Sequence, residues 1–217
     1  MEIYKLSDEI SDAAASNFVI TDIRQGVKNP NRVNIFINDK YAFSLDISQI
    51  VDCKLKVGLK ISEEELVEYK KASEFGKLYQ RALEWVLVRP RSEKELYDYL
   101  YKKIYEKKID KNYINTVIDR LKNKKYVDDA KFARYYVENR FVKKGISRKR
   151  LKMELMKKGI SKEIIDEVVD ARDDEEEILK IIAKKRTKYD NDKLIQYLCR
   201  QGFSYQLAQS LVTRETD

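Results

Sequence analysis

Ser147-Arg148-Lys149-Arg150-Leu151-Lys152-Met153-Glu154-Leu155-Met156-Lys157-Lys158-Gly159-Ile160-Ser161 opens on a helix cap and ends on a helix stop. Ser147 suits the N-cap, where a hydroxyl accepts from an orphan backbone N–H. Leu151 and Leu155 fall on one helix face at i, i+4 spacing. Gly159 suits a left-handed residue that ends the helix, and Ser161 caps another, whose inward residues are expected to be Ile164, Val168 and Val169. The pattern returns 43 positions later as Leu194, Leu198, Gly202, Phe203, Ser204, Leu207, Leu211 and Val212. A looser copy lies upstream, where Ser92, Leu96 and Leu100 match Ser147, Leu151 and Leu155. Such units stack and build extended binding surfaces.

Working outward, the same grammar fills the chain from Ser62 to the end. Ser62 with Glu65 makes a capping box, and the helix it opens has Gly76 as a weak point before it must stop ahead of Pro90. Ser92 with Glu95 makes a second box, leading into Leu96, Leu100 and Ile104. Asp110 is expected to cap Tyr113, Ile114, Val117, Ile118 and Leu121, and Asp128-Asp129 to cap Phe132, Ala133, Tyr136 and Val137 up to Gly145. Asp173 to Glu177 put acidic groups at a helix start, and Asp190 or Asn191 caps the helix of Leu194 and Leu198. Before Ser62 the period is two: Val19, Thr21 and Ile23, then Val33, Ile35 and Ile37, then Tyr41, Phe43 and Leu45 after the turn Asn38-Asp39-Lys40. A sheet that small needs the rest of the chain or a partner for stability.

The fold class that follows is mostly α, with three tandem three-helix repeats in a curved array preceded by a small antiparallel β module. The expected segments are 1–61, the β module; 62–127, a linker helix and repeat 1; 128–172, repeat 2; and 173–217, repeat 3.

The 217 residues contain no histidine and two cysteines, Cys53 and Cys199. That excludes His-based triads, His-containing zinc sites and a disulfide framework. The six glycines are isolated, so no phosphate-cradling loop is present. Neither a cofactor nor a metal is expected, and a hydrolase relying on Asp or Lys has no substrate specified by the chain. No apolar run approaches a membrane span, and Met1-Glu2-Ile3-Tyr4-Lys5 lacks a signal, so a cytoplasmic location is expected. The net charge of +8 is uneven: −3 over residues 1–74, +7 over 75–127, +5 over 128–172 and −1 over 173–217. A basic middle suits phosphates or an acidic protein.

Arg89-Pro90-Arg91-Ser92-Glu93 with Leu96 and Leu100, then Tyr126-Val127-Asp128-Asp129 with Phe132-Ala133, then Lys144-Gly145 through Leu151, Leu155, Lys158-Gly159-Ile160 and Ile164, resemble the ordered motifs of RecX, the bacterial regulator of the RecA recombinase. The β module resembles the extension of longer members. The chain departs from the family in two places. It lacks a glycine around Lys102 to Lys108, and it has Lys125 where a glycine is common, so another residue is expected to make that turn. The resemblance implies a monomeric, non-enzymatic protein that binds RecA or the RecA–DNA filament and inhibits its extension, ATPase and strand exchange, with weak direct contact to DNA. The alternative from another class is an autonomous helix-turn-helix-like DNA-binding protein.

Candidate interface residues are Lys143, Lys144, Arg148, Lys149, Arg150, Lys152, Lys157 and Lys158, with a smaller cluster at Lys184, Lys185, Arg186 and Lys188. Against an interface stands a solvated face neutralised by Glu154, Glu163 and Glu167, or, for the second cluster, favourable placement at a helix C-terminus. Tyr97, Tyr99, Tyr101 and Tyr105 cannot all point inward from one helix; they either stack on bases or pack between helices. Arg89 and Arg91 either shape the turn at Pro90 or touch a partner.

Overall fold

The structure, a computed structural model, describes residues 18–27, 29–107, 109–143, 145–170 and 172–214. It divides into two compact units, with the boundary between Gln80 and Arg81. Among the described residues no helix is long and apolar enough to cross a membrane.

The first unit is an antiparallel sheet of β1 (Phe18–Gln25), β2 (Arg32–Ile37), β3 (Lys40–Asp46) and β4 (Lys60–Ile61), in the order β3-β2-β1-β4. Asn38 and Asp39 take positive φ of 47° and 64° and join β2 to β3, as a tight hairpin requires. Two register shifts alter the expected alternation. One between Ile20 and Asp22 puts fully buried Ile20 inward, with Ile23 packing against the same core, rather than the Val19/Thr21/Ile23 set. The other, between Ile35 and Phe36, leaves Tyr41 51% exposed while Phe43 and Leu45 stay buried. Each extra residue flips the strand's faces. A short helix, α1 (Ile47–Asp52), follows β3 within the segment read as β structure.

Leu66, Tyr69 and Ala72 from α2 (Glu63–Val88) join the sheet core, so the helix supplies the cover that a sheet of this size lacks. Ser62 and Glu65 form the expected capping box. The helix runs unbroken through Gly76. Buried Arg32 explains the glycine: its guanidinium donates to the Ser44 carbonyl, to Asp46 at 3.1 Å and to the Ser73 carbonyl at 3.4 Å. A Cβ on Gly76 would lie 2.6 Å from Arg32 Nη1. The position is a clearance for Arg32, and α2 does not break there.

The second unit holds the end of α2 followed by α3 (Glu93–Lys107), α4 (Tyr113–Asn123), α5 (Asp129–Lys143), α6 (Arg148–Lys157), α7 (Lys162–Val169), α8 (Asp174–Lys185), α9 (Asn191–Arg200) and α10 (Tyr205–Arg214). These are tandem three-helix groups, each with its own apolar centre. Leu96, Leu100, Val117 and Leu121 are buried in the first, Phe132, Leu151, Leu155 and Ile160 in the second, and Ile178, Ile182, Leu194 and Leu198 in the third.

Local corrections follow from the caps. In α7 the fully buried residues are Ile165 and Val169, while Ile164 and Val168 are half-buried. The N-cap of α4 is Asn112, and Asp110, two residues before it, accepts from the Asn112 N–H at 2.9 Å. Lys125 itself makes the turn before Tyr126: its φ is 59°, and the Tyr126 N–H reaches back to the Leu121 carbonyl at 2.9 Å. Asp128 alone caps α5, accepting from the Lys131 N–H at 2.9 Å. Asp129 points elsewhere.

Asp129 accepts at 2.8 Å from the N–H of Glu93, the first residue of α3. One repeat later, Asp174 accepts at 2.8 Å from the N–H of Arg148, the first residue of α6. In both cases the first helical residue of the next repeat satisfies an orphan donor of the previous one. The C-terminal turn of α6 meets the start of α3 on the same scheme, with Ser92 Oγ donating to the Lys158 carbonyl at 2.8 Å. The turn after α9 meets the start of α6, where the Ser147 N–H donates to the Gln201 carbonyl at 3.1 Å. The middle helices are therefore coupled N-terminus to C-terminus, α3 to α6 to α9, an arrangement in which helix dipoles attract.

Candidate interaction surface on the second repeat

The face that the sequence marks as most basic is built on α6. Ser147, extended at φ −65° and ψ 155°, accepts from the Arg150 N–H and starts the helix; Gly159 at φ 81° lets the chain leave it. Leu151 and Leu155 point inward. The opposite face carries Lys149, Met153, Met156 and Lys157, with the two methionines 51% and 54% exposed.

The basic residues separate into two kinds. Arg148 pairs with Asp170 at 2.9 Å, Lys152 with Asp166 and Asp170 at 2.6 and 2.7 Å, and Lys158 with Glu95 at 2.6 Å. Arg150 reaches Glu154 at 3.3 Å and donates to the Arg200 carbonyl. The neutralising carboxylates are thus Glu154, Asp166, Asp170 and Glu95, while Glu167 pairs with Arg134 at 3.1 Å. Lys149 and Lys157, with the paired Arg150 beside them, line an open groove of about 500 Å³ with Met153, Phe203 and Cys199. Lys144 lies outside the described residues, and so does the side chain of Lys143 at the end of α5.

Glu154 sits at the edge of that groove and is held firmly. Arg140 grips it with two hydrogen bonds, both 2.8 Å, and the Tyr136 hydroxyl donates to it at 2.8 Å. Hydrogen bonding from Arg140, joined by Tyr136 and Arg150, holds its carboxyl down at about 2. Burial, with the hydrogen bond to Glu154, pushes the Tyr136 phenol up to about 12. The lysine hydrogen bond from Lys152, followed by that from Arg148, holds Asp170 below the usual range. The groove therefore has a fixed anion at its edge and two lysines at its rim.

The remaining candidates serve local packing in part. Lys185 lies 4.5 Å from the Tyr197 ring centroid, and Arg186 donates to the Val212 carbonyl at 3.3 Å; Lys184 and Lys188 are exposed. In the first motif Arg89 binds Glu95 at 3.1 Å and the Pro90 carbonyl at 2.8 Å. Arg91 stacks 3.9 Å above Trp85, on which Tyr99 also stacks, nearly parallel with ring centroids 4.5 Å apart. Arg89 thus bonds the turn at Pro90, and Arg91 packs on the Trp85 ring. Tyr126 is 43% exposed beside Asp128. A reading of the sequence by charge passes over Met153 and Met156; their signal is an apolar pair on the helix face opposite Leu151 and Leu155.

Three family descriptions match the chain in order. Residues 18–62 match the regulatory protein RecX N-terminal domain, 79–121 the first RecX three-helix domain and 128–169 the second. The regulatory protein RecX of Bacillus licheniformis is 34% identical over 91% of this chain and 77% of its own length. That of Clostridium tetani is 32% identical over 90% of this chain and 93% of its own. A crystal structure of a regulatory protein RecX superposes with a TM-score of 0.65 at 22% identity, covering 89% of this chain and 98% of that one, which establishes the shared fold. Domains in the family's order and relatives above thirty per cent identity across nine-tenths of the sequence make this chain a member of the RecX family of regulatory proteins.

Proposed function

We propose that this protein restrains the RecA recombinase in the bacterial cytoplasm by binding RecA or the RecA–DNA filament, and that it does so as a monomer without catalysis or cofactor. The observation that carries this reading is the outer face of α6, where Lys149 and Lys157 rim a groove with exposed Met153 beside it. Methionine side chains adapt to uneven partner surfaces, and rim lysines steer an acidic partner into register. The paired cations around them (Arg148, Arg150, Lys152 and Lys158) fix the shape of the face rather than compete for the partner. Binding of this kind acts by mass action: a protein that prefers one state of the filament shifts its assembly without any bond being made or broken.

The test is RecA ATPase on single-stranded DNA with this protein added below the RecA concentration, together with co-sedimentation on filaments. Inhibition and co-sedimentation are expected. Lys149→Glu/Lys157→Glu should weaken both and leave thermal unfolding unchanged. Failure of the unaltered protein to inhibit or to sediment with filaments would overturn the reading.

A further inference from the structure

We propose that the outer edge of α3 is a stacking platform for single-stranded nucleic acid. Tyr97, Tyr101 and Tyr105 recur every four residues and are 43%, 42% and 78% exposed, whereas Tyr99 turns inward onto Trp85. One helix therefore divides its tyrosines between packing and display. The displayed set forms a line whose steps are about 6 Å apart along the axis.

The rings of Tyr97 and Tyr101 are nearly parallel, with an interplanar angle of 15° and centroids 6.3 Å apart. That is close to twice the roughly 3.4 Å spacing of stacked bases, so the pair frames a slot about one base thick. Lys111 lies 5.8 Å from the Tyr101 centroid, Lys102 is exposed on the same helix, and Lys94, also exposed there, pairs with Asp98 at 3.2 Å. Beyond Tyr97 the line opens into a depression of about 410 Å³ that also presents Lys94, Asn115 and Gly159. Its two carboxylates are already committed. Glu93 pairs with Lys122 at 2.7 Å, and Asp129 caps the Glu93 N–H.

Aromatic faces in a line, flanked by lysines, match the alternating base and phosphate of an unpaired strand. A duplex hides its base faces and offers only edges and phosphates, so it cannot enter the slot. The line of tyrosines lies on the first repeat and shares no residue with the α6 groove.

The experiment is a fluorescence-anisotropy titration of labelled oligothymidylate, and of a duplex of equal length, with the full chain and no RecA present. Failure here is therefore separate from failure of the regulator reading. Tighter binding of the single strand is expected. Tyr97→Ala/Tyr101→Ala should lose on the order of ten-fold or more, while Tyr97→Phe/Tyr101→Phe, which keeps the rings, should bind nearly as the original. Tyr105→Ala, at the most exposed position, gives a smaller loss in a chain whose fold is not at risk. Equal affinity of the alanine variant, an equal loss in the phenylalanine variant, or preference for the duplex would overturn the proposal. So would unchanged oligonucleotide binding with a lost hold on RecA filaments, which would assign the tyrosines to a protein partner.

Discussion

Ser92 Oγ donates to the carbonyl of Lys158 at 2.8 Å and accepts from the N–H of Glu95 at 3.1 Å, so one hydroxyl closes a helix start and a joint between repeats. The serine is fully buried. Replacing it with alanine removes the cap and strands a carbonyl at the end of α6. Ser92→Ala should therefore cost about 2 kcal/mol, the upper part of the range for a cap alone. Urea unfolding checks it. A loss no larger than that of Ser62→Ala, an exposed cap with no such carbonyl, would mean that the joint contributes nothing beyond the cap.

At both joints a left-handed glycine faces the capping helix. A Cβ on Gly159 would stand 2.8 Å from Lys94 Cβ, and one on Gly202 would stand 2.5 Å from Ser147 Oγ and 2.9 Å from Arg150 Cβ. Alanine at either position would combine about 1 kcal/mol of backbone strain with a steric clash. Gly202→Ala should be the worse of the two, because Ser147 is the buried cap of α6 while Lys94 is an exposed side chain. Thermal melting of both variants tests that order.

These joints show why so much of the fold was legible. Ser92, Ser147, Gly159 and Gly202 are punctuation that local geometry demands, and the same atoms carry the contacts between repeats. What escaped reading depends on through-space pairing. Nothing local says that Asp129 caps the helix begun by Glu93, 36 residues away. Nothing local places a bulge beside Ile20, and no spacing rule shows that Gly76 clears Arg32. The candidate surface was less legible still. A run of cations looks uniform in sequence, but Asp166 on α7, Asp170 at its C-cap and Glu95 on α3 divide it into paired structural residues and the lysines at the groove.

Lys125 is an unusual occupant of a left-handed turn. Its φ of 59° follows the last turn of α4, where the Lys125 N–H donates to the Lys122 carbonyl at 2.8 Å. Glycine carries no Cβ penalty in this conformation, so Lys125→Gly should stabilise the chain by about 0.5–1 kcal/mol despite the greater entropy of the unfolded glycine. Lys125→Ala serves as the control, since it loses the same charge but keeps the Cβ. An equal gain from both variants in chemical denaturation would attribute the effect to charge rather than to backbone.

Glu154 sets the response to acid. Its folded carboxyl sits at about 2 against an ordinary 4.5, because Arg140, Tyr136 and Arg150 hydrogen-bond the charged form. A depressed carboxylate binds fewer protons folded than unfolded. Its contribution is therefore complete above the ordinary value and fades as pH falls through 4.5 towards 2. After allowance for solvent screening at a partly open site, it amounts to about 1–2 kcal/mol. Glu154→Gln should lower stability at neutral pH by roughly that amount and narrow the gap to the unaltered chain across the acid window. Parallel melting curves for the two proteins from neutral pH down to 2.5 would show instead that the Arg140–Glu154 contact is not what the acid removes, and would shift the acid sensitivity to Glu95, whose carboxyl burial raises but Lys158 and Arg89 hold below the usual range.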